Sequence, residues 1–362
     1  MIFAVMAVVY VLANVFVYWK CNSAISAAPL WAKVAVGVVY WVAALSFVAY
    51  MYASGNRVLP PRVGHAFYWF STSWLVFTLY TVLFLLLFMV VGLCGLQVKG
   101  QFVWSAGLSL LVMAWGFANF ATPDVRRMTL DVCKPAVARS LRVVAVSDVH
   151  LGYGVTRERL ERFVGMINAE QPDVVLIAGD LIDMAVAPLF EEKMYEPLRD
   201  IRAPQGIYMV PGNHEYISGI GESVRFVGMT PIVLLRDSVA TLPCGIQVVG
   251  RDDNYNRGRK PLAELMRGVD GGKPVFVLDH QPNDSEIGAA VSCGADFVLC
   301  GHTHKGQVWP MNHLVSALYK HAYGYTKEGG THVYVSSGLG LWGPPYRIGS
   351  DSEMAVIDFH FE

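Results

Sequence analysis

Hydrophobic and polar residues divide the chain into two parts. Four apolar runs in the first third are each long enough to cross a hydrocarbon core as a helix, which takes about 20 residues. From Leu141 onward, short apolar runs alternate with amphipathic stretches, a pattern typical of strands alternating with helices. We predict a four-helix transmembrane region over residues 1–122, a juxtamembrane linker over 123–140 and an α/β domain over 141–362. The apolar runs lie near Ile2–Trp19, Trp31–Tyr52, Phe67–Leu93 and Phe102–Ala121.

The charge distribution supports the same division. Residues 1–122 contain no Asp or Glu and five basic residues, so the other 240 residues hold all 29 acids and 23 of the 28 bases. A bilayer disfavours charge by about 2.5–3.5 kcal/mol per residue at the helix centre, which explains such a break.

The first run lacks the basic leader and small-residue cleavage site of a signal peptide, and we interpret it as a retained helix. Ion or proton pathways need charged residues within the spans, so an anchoring role is the better interpretation.

The basic residues near the ends of the spans predict an orientation. Three lie in the first and third connections, and seven lie in the second connection and after the last span. Since basic residues accumulate on the cytoplasmic side, both termini and the α/β domain are expected there. The first group is Lys20, Lys33 and Lys99, and the second is Arg57, Arg62, Arg126, Arg127, Lys134, Arg139 and Arg142. The six cysteines show no C-x-x-C spacing, which suits a reducing compartment.

Polar residues follow the predicted strands of the α/β domain. Strands are predicted at Leu141–Val146 and Asp173–Ala178, separated by a helix at Glu158–Ala169. The carboxyl ends of strands in such sheets converge on one crevice, so the residues that follow them are expected to lie together. These residues are Asp148, His150, Asp180, Asp183, Asn213, His214, His280, His302 and His304, and the other predicted strands are 206–210, 245–249, 274–278, 295–300, 331–335 and 355–361.

Each polar group also has an ordinary structural explanation. Asp148 or Asp180 alone could cap a helix, Asn213 could form a turn, and His280 could be a core histidine bonded to backbone. A lone His-x-His pair is more often two surface histidines than a metal site. The recurrence of Asp, His and Asn after five successive strands favours a metal site over these separate explanations.

Together the motifs D-x-H, G-D-x-x-D, G-N-H-E, a lone His after a strand, and G-H-T-H resemble the calcineurin-like metallophosphoesterase superfamily. The resemblance covers Leu141 to Glu362, and the stretch from Ser336 to Arg347 is similar to a bacterial, often membrane-attached subgroup. It implies a four-layer α/β/β/α sandwich and metal-dependent hydrolysis of phosphoric esters by metal-activated hydroxide. Taken with the predicted spans and their orientation, the bacterial subgroup makes an integral protein of a bacterial inner membrane the expectation, with the catalytic domain, residues 141–362, facing the cytoplasm.

The resemblance further implies a centre of two divalent ions of the Mn, Fe or Zn class. One ion would be held by Asp148, His150, Asp180 and His304, and the other by Asp180, Asn213, His280 and His302. This mixed set of nitrogen and oxygen ligands suits such ions, and no thiolate biases the choice. His214 matches the family residue that stabilises the phosphoryl oxygens or protonates the leaving group, and Asp183 matches the acid that orients it. Glu215 is interpreted as a support for its loop.

Two features predict the substrate: one position at which the sequence differs from the phosphoprotein phosphatases, and the membrane anchor. Phosphoprotein phosphatases follow the second aspartate with Arg, whereas here Met184 follows Asp183, which favours a phosphodiester or pyrophosphate. A membrane anchor makes a lipid-linked phosphoester the leading substrate class. The family resemblance adds an example, since related bacterial phosphoesterases cleave the pyrophosphate of a UDP-diacylglucosamine. Apolar and aromatic residues after Gly306 are candidates for contact with acyl chains, with core packing as the alternative.

Two other functions remain open at this point. One is a phosphodiesterase or phosphatase acting on a soluble nucleotide or other small phosphoester. The other is a non-catalytic membrane receptor or scaffold on the same fold, which would be expected to lack metal ligands. The expected partners are the phosphoester substrate and the lipid bilayer, and no nucleic-acid polymer is expected.

Overall fold

The structure, a computed structural model, describes residues 2–55 and 59–362. The described chain divides into two compact units: Met1–Ala118 with Gly343–Tyr346, and Asn119–Trp342 with Arg347–Glu362. Arg57, one of the basic residues used to predict the orientation, lies outside the described residues. Each unit is considered by itself below.

The first unit is built from long apolar helices. Within the described residues, four helices are long and apolar enough to cross a membrane, as the hydrophobic pattern predicts. Buried Val17, Tyr40, Ala44 and Leu85 pack together inside this unit. The helices are α1 (Ile2–Ala24), α2 (Leu30–Gly55), α3 (Pro61–Leu93) and α4 (Gln101–Ala121).

The second unit contains two mixed sheets. Among the described residues, the strands are β1 (Asp124–Val132), β2 (Ser140–Val146), β3 (Val174–Ala178), β4 (Ile207–Val210), β5 (Ile232–Leu234), β6 (Ser238–Thr241), β7 (Gln247–Gly250), β8 (Val275–Leu278), β9 (Phe297–Cys300), β10 (Gly324–Glu328), β11 (Thr331–Val335) and β12 (Glu353–Phe361). The first sheet has the order β1-β12-β2-β3-β4-β5 and the second β10-β11-β9-β8-β7-β6. In the first sheet β2 to β5 run parallel, and in the second β7, β8, β9 and β11 run parallel.

The helices of this unit, among the described residues, are α5 (Arg157–Ala169), α6 (Ala187–Glu191), α7 (Tyr195–Arg199), α8 (Asn213–Ile217), α9 (Ile220–Val227), α10 (Leu262–Leu265), α11 (Asp284–Ser292) and α12 (Met311–Leu318). Helices cover the outer faces of the two sheets, but α12 has no buried residue and is not one of them. One core joins the inner faces of the two sheets, a second joins α5 and its neighbours to the first sheet, and a third joins α10 and α11 to the second. This is the four-layer α/β/β/α arrangement implied by the sequence resemblance.

The segment predicted as a linker differs from that prediction. Asp124–Val132, which lies within the predicted linker over 123–140, forms β1 and pairs in parallel with β12. β1 is an edge strand, and most of its residues are exposed or half-buried, so it lacks the continuous apolar run by which the buried strands are identified.

Candidate metal centre

The carboxyl ends of the parallel strands bring the predicted site residues together. β2, β3 and β4 end just before Asp148, Asp180 and Asn213, and β8 and β9 end just before His280 and His302. Parallel strands place these ends on the same edge of each sheet. Three groups of predicted residues therefore offer nitrogen and oxygen atoms within 4.8 Å of one another.

The first group is formed by Asp148, His150 and His304, all of which are buried. His150 Nε2 lies 3.1 Å from His304 Nε2, and His304 Nε2 lies 3.4 Å from Asp148 Oδ1. His150 Nε2 is also 3.8 Å from Asp180 Oδ2. Asp180 thus adjoins this group as well as the second one.

The second group is formed by Asp180, His280 and His302. His280 Nε2 lies 3.0 Å from Asp180 Oδ2 and 3.3 Å from His302 Nδ1. Asn213 Oδ1 lies 3.2 Å from the same His280 nitrogen. On the other side of the ring, His280 Nδ1 lies 2.7 Å from the carbonyl oxygen of Ala178, which fixes the ring and leaves Nε2 directed at the group.

His214 and Asp183 lie beside the first group. His214 Nδ1 is 3.4 Å from Asp183 Oδ1 and 3.2 Å from the Asp183 carbonyl oxygen, and its ring packs edge-on against His150 at 4.6 Å. Burial alone would lower the pKa of His214, but the hydrogen bond to Asp183 and the charges of Asp180 and Asp183 raise it to about 9. Without a bound cation, the raised pKa favours the protonated form of the His214 imidazole at neutral pH.

The backbone is strained at most of the predicted ligands. Five of the seven adopt positive φ angles between 49° and 72°, a region that costs non-glycine residues of order 1–3 kcal/mol each. The surrounding fold must compensate for this cost. Strain that recurs at one edge of the sheets is typical of a functional site. The five residues are Asp148, His150, Asp180, His302 and His304.

Two glycines allow the close approach of these segments. A Cβ at Gly179, where φ is 81°, would lie 2.6 Å from His280 Nδ1. A Cβ at Gly301 would lie 2.6 Å from the Cβ of Ser147. Side chains at either position would force the strand ends apart, so the motifs G-D and G-H-T-H include their glycines for steric reasons.

The donor set fits divalent cations. Histidine nitrogens face one another at 3.1 and 3.3 Å and also face carboxylate oxygens, so lone pairs converge on two neighbouring points. Burial and the positive charge of His280 lower the pKa of His302 to about 3, which leaves its imidazole neutral and able to bind a metal. Nitrogen and oxygen donors in this mixture suit Mn, Fe or Zn ions.

Glu215 supports the loops that carry the predicted ligands. It is 1% exposed, and its carboxylate accepts hydrogen bonds from the backbone N–H groups of Asp180, Ile182 and Gly212 at 2.7–3.0 Å. These bonds join the ends of β3 and β4. The hydrogen bonds agree with the supporting role inferred for Glu215 from the sequence.

Arg347 is a buried cation beside the site that the motifs did not identify as functional. Its Nη1 donates to the carbonyl oxygen of His304 at 3.0 Å, and its Nη2 donates to those of Ser337, Gly338 and Gly340 at 2.6–3.1 Å. Burial lowers its pKa to about 10, so it remains charged. Arg347 thus holds the His304 loop against the segment that follows β11. The only sequence signal was its place in the Ser336–Arg347 stretch.

Asp253 is a second residue missed by the motif search. It follows β7 and is 1% exposed, and Gln281 Nε2 donates to its Oδ2 at 2.9 Å. Burial raises the pKa of Asp253, and the positive charge of the neighbouring His280 opposes that shift. The end of β7 could have been examined in the same way as the other strand ends, since Arg251-Asp252-Asp253 follows the strand directly.

The chain is similar to several known proteins. A family model described as calcineurin-like phosphoesterase matches residues 141–306. An uncharacterized metallophosphoesterase of Helicobacter pylori is 32% identical over 257 residues, which cover 69% of this chain and 68% of that protein. A transmembrane protein with a metallophosphoesterase domain from Danio rerio is 32% identical over 269 residues, covering 69% of this chain and 60% of that protein. The crystal structure of TT1561 of Thermus thermophilus is 14% identical with a TM-score of 0.39, covering 55% of this chain and 89% of that one.

Proposed function

The chain belongs to the calcineurin-like metallophosphoesterase family, and we propose that it hydrolyses a phosphodiester or pyrophosphate bond in a lipid-linked substrate such as a UDP-diacylglucosamine. It is a metal-dependent phosphoric ester hydrolase associated with a membrane. The observation that carries the proposal is the convergence of six predicted ligands in these clusters, with Asn213 beside His280, in a chain whose described residues include four membrane-length helices.

In this proposal the centre would take two divalent ions. Asp148, His150 and His304 would hold one, Asn213, His280 and His302 would hold the other, and Asp180 would contribute to both. The support is that Asp180 Oδ2 lies 3.8 Å from His150 Nε2 and 3.0 Å from His280 Nε2, so one carboxylate faces both groups. Paired divalent ions supply Lewis acidity, which neutralises phosphoryl charge and acidifies water.

The chain's own residues supply the proton for the leaving group. Because the pKa of His214 is raised to about 9, its imidazole is protonated at neutral pH and can donate to the departing alkoxide or phosphate oxygen. Asp183 holds Nδ1 of that ring, so the opposite nitrogen, Nε2, is free to face the substrate in this arrangement. Asp183 therefore acts as a positioning residue for His214.

The diester preference rests on the residue after Asp183. A phosphate monoester carries more terminal charge than a diester and is commonly held by an Arg. At the position where the phosphoprotein phosphatases place that Arg, this chain has the uncharged Met184. Faster hydrolysis of an aryl phosphodiester than of the matching monoester is expected, and a clear preference for the monoester would refute this step.

We further propose that the protein lies in a bacterial inner membrane with the catalytic domain in the cytoplasm. The support is the excess of basic residues in the second connection and after the last helix. A phosphatase reporter that folds only in the periplasm, fused to the C-terminus, is expected to be inactive. An active fusion would reverse the orientation.

The substrate class is tested by turnover of the full chain in nanodiscs supplied with Mn²⁺. A membrane lipid extract and a nucleotide panel are assayed in parallel, with the Asp180→Asn variant as the inactive control. The proposal expects metal-dependent hydrolysis of a component of the lipid extract that the variant does not catalyse. Hydrolysis of nucleotides alone would replace the lipid-linked substrate with a soluble one, and metal binding without any turnover would favour a receptor or scaffold.

A further inference from the structure

Helix α12 presents an apolar face outward. Met311, Leu314, Val315 and Leu318 fall at positions i, i+3, i+4 and i+7, which places them on one side of the helix. In a helix that packs on a core, such a side is buried. Here Met311 is 39%, Leu314 54% and Leu318 68% exposed, and Val315 is half-buried. The apolar stripe of this described helix therefore faces away from the cores of its own unit.

Both ends of α12 adjoin the predicted metal ligands. At its start, a Cβ on Gly306 would lie 2.5 Å from Asn312 Cα, so the helix packs directly against the turn that follows His304. At its end, the ring of Tyr319 lies 6.4 Å from the ring of His302. The exposed apolar face is thus attached to the loop that carries His302 and His304, at the edge of the metal centre.

Charge around α12 suits an anionic lipid surface. The stretch from Phe297 to Lys327 contains three lysines and no Asp or Glu. Lys320 pairs with Glu328 just beyond this stretch at 2.6 Å, and Lys305 Nζ lies 4.5 Å from the centroid of the Tyr323 ring, so the stretch itself carries a net positive charge. Basic residues flanking an apolar helical face are typical of helices that lie in the membrane interface.

The covalent connection keeps this unit near a bilayer. Only Thr122 and Pro123 separate the end of α4 at Ala121 from the start of β1 at Asp124. Three peptide steps span at most about 10 Å, since an extended chain advances about 3.3–3.6 Å per residue. The start of β1 is therefore tethered close to a membrane surface, so a bilayer is available to this unit without the recruitment that another protein partner would need.

We propose that the outward face of α12, formed by Met311, Leu314, Val315 and Leu318, lies in the headgroup and acyl boundary of the bilayer. The phospholipid surface is the occupant of this face. Docking there holds the edge of the metal centre at the membrane, so that a phosphoester in the interface reaches it without leaving the lipid. The proposal depends on membrane association and not on the identity of the substrate.

The test uses the unmodified full chain in nanodiscs that contain a phospholipid with a photoactivatable diazirine in its acyl chain. After irradiation, trypsin releases α12 within one peptide, Gly306–Lys320, and releases β6 within another of equal length, Asp237–Arg251. The second peptide is a matched control because it also carries an exposed apolar residue, Val239, which is 39% exposed. Mass spectrometry then measures lipid adducts on each peptide.

The expected result is a several-fold excess of lipid adducts on Gly306–Lys320 over Asp237–Arg251. The Leu314→Asn, Leu318→Asn double variant is expected to lose most of that excess while keeping the thermal midpoint of the parent. Equal labelling of the two peptides, or an excess that the double variant retains, would overturn the proposal. The readout is adduct formation and not turnover. A result in which the lipid-linked substrate is not hydrolysed but α12 is labelled can therefore be distinguished from one in which the substrate is hydrolysed but α12 is not labelled.

Discussion

Replacing Arg347 with lysine tests how the fold holds the metal centre. Lysine keeps the positive charge but ends in one ammonium, which cannot occupy the positions of both Nη1 and Nη2. Nη1 serves one carbonyl group and Nη2 serves three, so at least one of the four carbonyl groups would lose its charged donor. A hydrogen bond to a charged group contributes about 1.5–3 kcal/mol, so a loss of about 1.5–3 kcal/mol is expected for the variant. For a unit of this size, about 2–4 °C per kcal/mol gives a fall in Tm of roughly 3–12 °C.

The assay follows thermal unfolding and Mn²⁺ affinity of the full chain in nanodiscs. Metal affinity is expected to fall about 10–100-fold, because Arg347 holds the backbone of His304, and partners that orient ligands typically have effects of that size. Arg142→Lys is the matched control, since Arg142 is exposed and its two hydrogen bonds to Asp358 lie on the surface. The reasoning is refuted if Arg347→Lys changes Tm no more than the control, or lowers Tm while Mn²⁺ affinity stays unchanged.

Three further predictions concern the metal centre. Asp180→Asn is expected to reduce bound Mn²⁺ and abolish diester hydrolysis, whereas Asp358→Asn on the surface leaves both unchanged; metal analysis and turnover decide this. Glu215→Gln replaces one of the two acceptor oxygens with an amide NH₂ and leaves at least one buried backbone N–H without an acceptor, so it should lower stability by about 1–3 kcal/mol, and a loss under about 0.5 kcal/mol in denaturant unfolding would contradict that role. Burial lowers the pKa of His280, but Asp180 raises it well above its ordinary value, so the metal-free imidazole is protonated and protons compete with cations. Mn²⁺ affinity should therefore rise from pH 6.5 to 8.5, by up to about tenfold per pH unit, and calorimetry showing no rise would contradict this protonation state.

The membrane helices and central strands are the parts of the fold that the sequence predicts best. A continuous apolar run of about 20 residues has few structural explanations other than a membrane-spanning helix. Strands buried on both faces of a sheet are recognised by shorter continuous apolar runs. The strand predicted over 331–335 corresponds to β11 at Thr331–Val335, and the strand predicted over 274–278 differs from β8 by one residue. The family motifs identified the polar residues at the ends of these strands because each motif is a short run of consecutive residues directly after a strand.

The edges of the sheets could not be predicted in the same way. β1 and β10 have mostly exposed or half-buried residues, and β5 has three residues, so none of them produces a distinctive hydrophobic pattern. Pairing with a neighbour, such as that of β1 with β12, determines these strands. That pairing involves residues more than 200 positions apart in the chain.

The supporting residues of the site were missed for a related reason. Arg347 bonds to backbone carbonyl groups, one of them on His304, 43 residues earlier in the chain. Any residue type can supply a backbone carbonyl group, so the sequence does not show which residues accept these hydrogen bonds. No local pattern therefore distinguishes a buried Arg from a surface one. Asp253 was missed for a different reason: it bonds to the side chain of Gln281, and the end of β7 carried no family motif that drew attention to it.

The most direct test of the account is hydrolysis of an aryl phosphodiester by the full chain during titration with Mn²⁺. A dinuclear centre predicts that two ions bind per chain and that turnover develops with the second. The account would be contradicted if one ion per chain gave full activity, or if two ions bound and no phosphoester was hydrolysed.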